Sequence, residues 1–248
     1  MDNCIGFDNS KSKKPLTEKQ LYRVFSIERL FELFTKKELV LVKPSAWDDP
    51  FENYILNATA VNESGRNLTF DIREHVYGQC WSETRESDAM WRIYSPHCTG
   101  VKIRTTIGKL YNSLKINELP NSHMLYLGKV DYKNQTELVK HAQNRVEMQN
   151  HLMNNGKEGF AKTLLFKRRE FSHENEVRII CVYEKLIQDE DNFRITINPF
   201  ELVDQIVFDP RIDIELFKVY QSHFKKIGFT GSVIRSTLYE LPKFKVSI

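Results

Sequence analysis

The residues with the most chemistry in this 248-residue chain are two glutamates and an arginine at alternate positions, Glu174-Asn175-Glu176-Val177-Arg178. On an extended strand, residues two apart share a face, so Glu174, Glu176 and Arg178 are expected to line one side. Their carboxylates would then lie about 7 Å apart. Val177, Ile179 and Cys181 would line the other side, against a core. Lys167 and Phe171 complete a K-x3-F-x2-E-x-E-x-R pattern. Such a compact polar site suits a cation, a hydroxyl-rich sugar or water. The same pattern also describes a solvated sheet face with a Glu–Arg pair, which is the commoner case for charged strands.

The elements that must position these residues can be read from periodicity. Leu21–Phe25 predicts a strand. Ile27, Leu30, Phe31 and Phe34 then recur at helical spacing behind Ser26, a suitable N-cap. Leu39–Val42 predicts a short strand stopped at Pro44, and Asp49-Pro50 has the chemistry of a helix start. Residues 61–69 are expected to form a loop. Val76–Ser82 predicts a strand, and Ser87 opens a helix whose face carries Met90, Ile93, Tyr94 and His97. Val101–Thr105 alternates as a half-exposed strand. Residues 136–153 and Gly159–Arg168 predict helices, the second ending in the basic run Lys167-Arg168-Arg169. Strands are expected at Val177–Ile180, Phe193–Ile197, Leu202–Phe208, Gly231–Arg235 and near 244–246, with a helix over Asp213–Lys226. This is an α+β pattern: a single domain, 18–248, of mostly antiparallel sheet with flanking helices, after a loose arm at 1–17.

Composition narrows the function classes. Hydrophobic residues make up 41% and charged residues 28%, enough for a sizeable core. A net charge of +3 does not by itself demand a nucleic-acid partner. The four cysteines include no CxxC pair, and the ten glycines form neither GxGxxG nor GxxxxGK. The dinucleotide fold and the P-loop are therefore missing, as are paired-histidine metal spacing and a GxSxG elbow. No metal ligand set is expected. The polar N-terminal stretch, with Lys11-Ser12-Lys13-Lys14, lacks an apolar run, so the expected compartment is the cytoplasm.

Four blocks carry a family resemblance: Leu21-Tyr22-Arg23 through Pro44; Trp47-Asp48-Asp49-Pro50-Phe51-Glu52; Cys80-Trp81-Ser82-Glu83 through Met90-Trp91 and Tyr94 to Gly100-Val101; and Lys167 to Ile180. In order and spacing they resemble the bacterial family called domain of unknown function 2971. Departures are Phe171 where the family usually has Trp, Trp47-Asp48 for a more usual Phe-Asn, and the Ser95-Pro96 interruption. A remoter resemblance is to ADP-ribosyltransferases, which carry in chain order an Arg on the first strand, a Ser on a central strand and an E-x-E ending in the catalytic Glu. Arg23, Ser82 and Glu174-x-Glu176 stand in that order.

What this second resemblance implies is a split sheet binding NAD as substrate, with Glu176, Glu174 and Ser82 catalytic. Arg23, Tyr22, Trp81 and Trp91 would contact the dinucleotide, and a nucleic acid or protein would be the acceptor. The implied biology is that of a toxin or phage-defence effector. Two alternatives stay open at this point. One is a non-catalytic module binding nucleic acid or protein through 11–14 and 167–169. The other is a metal-dependent nuclease using Asp48, Asp49, Glu52, Glu174 and Glu176.

Overall fold

The computed structural model describes residues 4–7, 15–47, 49–57, 60–61, 67–68, 75–115, 123–183 and 191–242. In chain order its elements begin with β1 (Cys4–Ile5), β2 (Gln20–Phe25), α1 (Ile27–Lys36) and β3 (Glu38–Val42). Next come α2 (Tyr54–Asn57), β4 (Ala60–Val61), β5 (Asn67–Leu68), β6 (Val76–Ser82), α3 (Asp88–Tyr94), β7 (Val101–Thr106) and α4 (Ile107–Lys115). The middle of the chain supplies β8 (His123–Lys129), β9 (Asp131–Lys133), α5 (Gln135–Gln143) and α6 (Arg145–Gln149). A π-helical turn at Asn150–Asn154 then leads to α7 (Gly156–Thr163) and β10 (Phe166–Arg168). The last third holds β11 (Glu176–Tyr183), β12 (Asn192–Thr196), α8 (Pro199–Leu202), β13 (Gln205–Phe208), α9 (Ile214–Lys226) and β14 (Ser232–Arg235).

Most strands join one sheet in the order β1-β8-β11-β6-β2-β7-β13-β14, with β12 paired to β3. Its pairs are antiparallel except β1–β8 and β13–β14. Strand β6 is the pivot. It pairs along its whole length with β11, meets β2 at Ser82 and meets β3 at Gly78. The sheet therefore divides between β2 and β3, and the division opens beside Ser82.

Period-2 alternation sends the two faces of this sheet into different surroundings. Tyr77, Trp81, Val177, Ile179 and Leu21 face the larger core, which α1 covers with Ile27, Leu30, Leu33 and Phe34, and α9 with Phe217 and Phe224. Each such side chain contributes roughly 1.5–3 kcal/mol by leaving water. Helix α1 starts behind Ser26 and ends at Lys37, whose left-handed φ of 56° turns its N–H back to the Leu33 carbonyl. On the other face Val76, Tyr126, Ile180 and Val182 pack under Ala161, Leu164 and Leu165 from α7 and the turn after it.

Several expectations need correction. Helix α7 stops at Thr163, and Phe166–Arg168 is a strand paired in parallel with β9, so the basic run at 167–169 is no helix end. Leu202 closes a helical turn that starts at Pro199, and only Gln205–Phe208 is strand. On α3 it is Met90 and Trp91 that are buried, while Ile93 is exposed. Lys102 on β7 is buried rather than half-exposed. Helix α4 and strands β8 and β9 have no counterpart in the sequence reading. Within the stretch read as an arm, Cys4–Ile5 pairs with β8. The basic stretch 11–14, Asp48 and the strand expected near 244–246 lie outside the described residues, as do 62–66 and 69 of the expected loop, whose Val61 and Asn67 instead pair as a ribbon.

Gly78 is the position where the pivot strand tolerates no side chain. A Cβ there would stand 2.5 Å from Trp47 Cζ2. The Gly78→Val protein should lose about 1–3 kcal/mol from overpacking. This will be seen as a melting temperature lower by several degrees, at about 2–4 °C per kcal/mol for a chain this size.

Candidate functional site

Glu176 opens β11 directly opposite Ser82, and Ser82 in turn stands opposite Tyr22 on β2. Directly paired residues point to the same side of a sheet, so Tyr22, Ser82 and Glu176 form one row at the point where the sheet divides. Glu174 arrives differently. It ends a 3-10 helix over Arg169–Glu174, and Asn175 then takes a left-handed φ of 44°. The expectation that Glu174 extends the strand is corrected: a tight turn brings its carboxylate beside Glu176. Ser82 Oγ fixes that turn by donating to the Glu174 carbonyl at 2.5 Å, while accepting from Thr84 N at 2.9 Å.

The glutamates do not line a solvated face. Glu174 and Glu176 are each 4% exposed and Arg178 is 0%. Lys167 Nζ lies 2.7 Å from Glu176 Oε1, 2.7 Å from Glu52 Oε1, and also binds Glu174 Oε2. Arg178 donates from Nε to Glu176 Oε2 at 2.6 Å and from Nη1 to the Leu164 carbonyl at 2.7 Å, with Nη2 3.2 Å from Glu52 Oε2. The Trp47 ring covers the guanidinium at 4.4 Å. Two tyrosines close the cluster. Tyr94 donates to Glu174 Oε1 at 2.8 Å, and Tyr132 accepts the Glu176 N–H at 2.9 Å. Phe171 packs at 4.8 Å from Lys167 Nζ on one side and 5.2 Å from the Arg168 guanidinium on the other. Arg168 also makes a forked pair with Asp49, which caps its own 3-10 turn by accepting from Phe51 N.

Charge balance sets the protonation of this cluster. Three carboxylates face two cations, and burial resists surplus negative charge. Burial, followed by the neighbouring Glu176, raises Glu174 above the ordinary carboxylate range. Burial also raises Glu52 against the pull of Arg178 and Lys167. Burial opposes ionisation of Glu176 too, yet Arg178, the Glu174 hydrogen bond and Lys167 outweigh it and hold this carboxyl low. A pair of adjacent carboxyls driven apart in this way offers one fixed anion and one group that can exchange a proton. The Lys167 ammonium occupies the point on which the three carboxylates converge.

The remaining expected site residues are placed as follows. Arg23 follows Tyr22 on β2 and so points to the opposite side of the sheet from Ser82 and Glu176. It stands at the division, stacked on Phe25 at 5.3 Å, in a cavity of about 170 Å³ with Arg29, Lys36, Arg194, Glu32 and Glu38. Burial lowers its pKa to about 10, with Cys80 and Tyr94 among its electrostatic neighbours. Among the described residues no ion pair joins it to either glutamate, so the expected convergence of Arg23, Ser82 and Glu176 on one hollow is not met. Trp81 lies in the larger core, its Nε1 bonded to Gln79 at 2.9 Å, on the face away from Glu176. Tyr22 and Trp91 do share the Ser82 side, around a space of about 10 Å³ with Lys102 and Glu86, room for about one water. Trp91 Nε1 donates to Glu86 at 3.1 Å.

Sequence reasoning gave Glu52 a place only in the metal alternative and gave Tyr132 none. The Trp47–Glu52 block was the available signal for Glu52, since it travels with the K-x3-F-x2-E-x-E-x-R pattern whose lysine it meets. A family model described as "Protein of unknown function (DUF2971)" matches residues 90–179, in accord with the resemblance read from the sequence. No curated protein is detectably similar in sequence. Among solved structures, Thermus sp. 2.9 DarT in complex with NAD+ aligns over 88% of this chain and 95% of that one, at 11% identity and a TM-score of 0.39. The same protein in complex with ADP-ribosylated ssDNA aligns over 88% and 94%, at 10% identity and a TM-score of 0.39. Among the described residues no helix is long and apolar enough to cross a membrane.

Removing the shared cation should be costly. Lys167→Met leaves buried carboxylates without their partner and should lower stability by about 3–5 kcal/mol in chemical denaturation. Adding Glu176→Gln to it should recover part of that loss. The pH dependence follows from Glu174. Its raised pKa means that the unfolded chain releases this proton first, so its contribution falls as pH rises from about 4.3. Melting curves across pH 4–8 should show that Glu174→Gln removes this decline relative to the wild type.

Proposed function

We propose that this chain is an ADP-ribosyltransferase-like enzyme that takes NAD as substrate and modifies a nucleic acid or protein. The observation that carries this reading is the buried glutamate pair, held in opposite protonation tendencies, with Glu176 on the Tyr22–Ser82–Glu176 row where the sheet divides and Glu174 brought beside it by a turn. In the reaction the C1′–N bond to nicotinamide breaks and its electron pair goes to the ring nitrogen. The Glu176 carboxylate stabilises the cationic ribose centre that results. The acceptor oxygen or nitrogen forms the new bond to C1′ and passes its proton to Glu174. Ser82 positions Glu174 through its carbonyl. Arg23 points to the other face of the sheet, among cations paired with Glu32 and Glu38, and takes no part in this step. On this reading the chain is a toxin or defence effector of the cytoplasm.

One observation favours a second reading, a binding module without catalysis. Both Glu176 oxygens are already taken by Lys167 and Arg178, and the space beside Ser82 holds about one water. A single assay separates the two. Purified protein incubated with NAD and a panel of nucleic-acid and protein acceptors should release nicotinamide. Glu176→Gln should slow that release by about 100-fold or more, with folding of the variant checked by circular dichroism. Absence of nicotinamide with every acceptor overturns the enzymatic reading in favour of the second.

A further inference from the structure

Away from the glutamate cluster, two neighbouring imidazoles each carry a buried ring nitrogen without a hydrogen-bond partner. His141 lies near the end of α5, and its Nδ1 is 2.7 Å from Glu147 Oε2. Its side chain is 10% exposed, and its Nε2 is buried without a hydrogen-bond partner. His151 sits in the π-helical turn, and its Nδ1 is likewise buried and unpartnered. The ring centres are 5.6 Å apart. Glu147 fixes His141 with Nδ1 protonated, which leaves the Nε2 lone pair as a bare acceptor. An unsatisfied buried polar nitrogen costs about 1–3 kcal/mol, and one ion bound between the two rings would satisfy both.

The geometry points to a two-histidine site for a divalent transition metal, formed by His141 Nε2 and His151 Nδ1 with Glu147 as the orienting carboxylate. Zn–N bonds of about 2.0–2.1 Å put two imidazoles of one tetrahedral ion roughly 5–5.5 Å apart between ring centres, close to the spacing found. A carboxylate on the far nitrogen is the usual support of a metal-bound histidine. The backbone is built to hold this arrangement. His151 lies in the π-helical turn, and Gly159 of α7 passes so close that a Cβ there would meet the His151 carbonyl at 2.1 Å. A neighbouring cation, Lys162, is paired with Glu158 at 2.7 Å. The described residues hold no group of three or more histidine, cysteine, aspartate or glutamate ligands. Water therefore completes the shell, and binding is weaker than at a closed four-ligand site. The Phe166 ring, 4.2 Å from His141, belongs to the strand that carries Lys167. A bound ion would thus tie α5 to the π-helical turn beside that strand.

The test is independent of NAD. Chelator-treated full-length protein is titrated with ZnCl2 by calorimetry, and its histidine ring nitrogens are followed by NMR. The expected result is one saturable equivalent, with shifts at His141 and His151 and a melting temperature that climbs with zinc concentration. His141→Gln and His151→Gln should each weaken binding by tenfold or more, Glu147→Gln by about 10–100-fold, and the distant His97→Gln should change nothing. Absence of saturable binding, or zinc shifts at other histidines only, overturns the proposal. The NMR measurement on the wild type decides the matter even where a variant fails to fold.

Discussion

The Lys167 ammonium draws together carboxylates from three separate stretches of chain: Glu52 from the turn after β3, Glu174 from the 3-10 turn, and Glu176 from the first residue of β11. Each of these charges would be expensive to bury alone. Together with Arg178 they form a closed set in which every carboxylate has a cation and every cation at least two acceptors. The surrounding architecture can be understood as what is needed to keep that set dry. Trp47 covers the guanidinium, Phe171 covers the ammonium, and Tyr94 and Tyr132 seal the ends with their hydroxyls.

This constraint explains local features that otherwise look arbitrary. Asn175 adopts a left-handed conformation because only a sharp turn lets Glu174 and Glu176 reach one ammonium. Ser82 sits at the end of β6 because its hydroxyl pins the carbonyl of that turn. Gly78 lacks a side chain because Trp47 must lie flat over Arg178. The division of the sheet lies beside the same row, so this charge cluster stands next to a break in hydrogen bonding between strands.

Much of the fold was legible from pattern. The strand at Val76–Ser82 was bounded correctly, and the helix behind Ser26 and the one ahead of Lys226 were found from apolar spacing and caps. Val177, Ile179 and Cys181 face the core as alternation requires. The stretch between Ile107 and Lys133 escaped because its apolar residues mark neither period cleanly. The basic run at 167–169 misled because charge there was taken as a sign of exposure, whereas Lys167 is buried and matched by three acids.

The sequence alone placed Lys167, Glu174, Glu176 and Arg178 in one local pattern, and left open whether that pattern forms a site or a solvated face. It determined the α+β class because periodicity is a local property. Tertiary structure decided the rest. Whether those charges are solvated or sealed depends on Trp47, Glu52, Tyr94 and Tyr132, which approach from far along the chain. Which face Arg23 takes depends on a strand register that fixes Tyr22 opposite Ser82, and a shift of one residue would have reversed it. Contacts between distant segments leave no spacing to read, so burial and partnership had to come from the folded molecule.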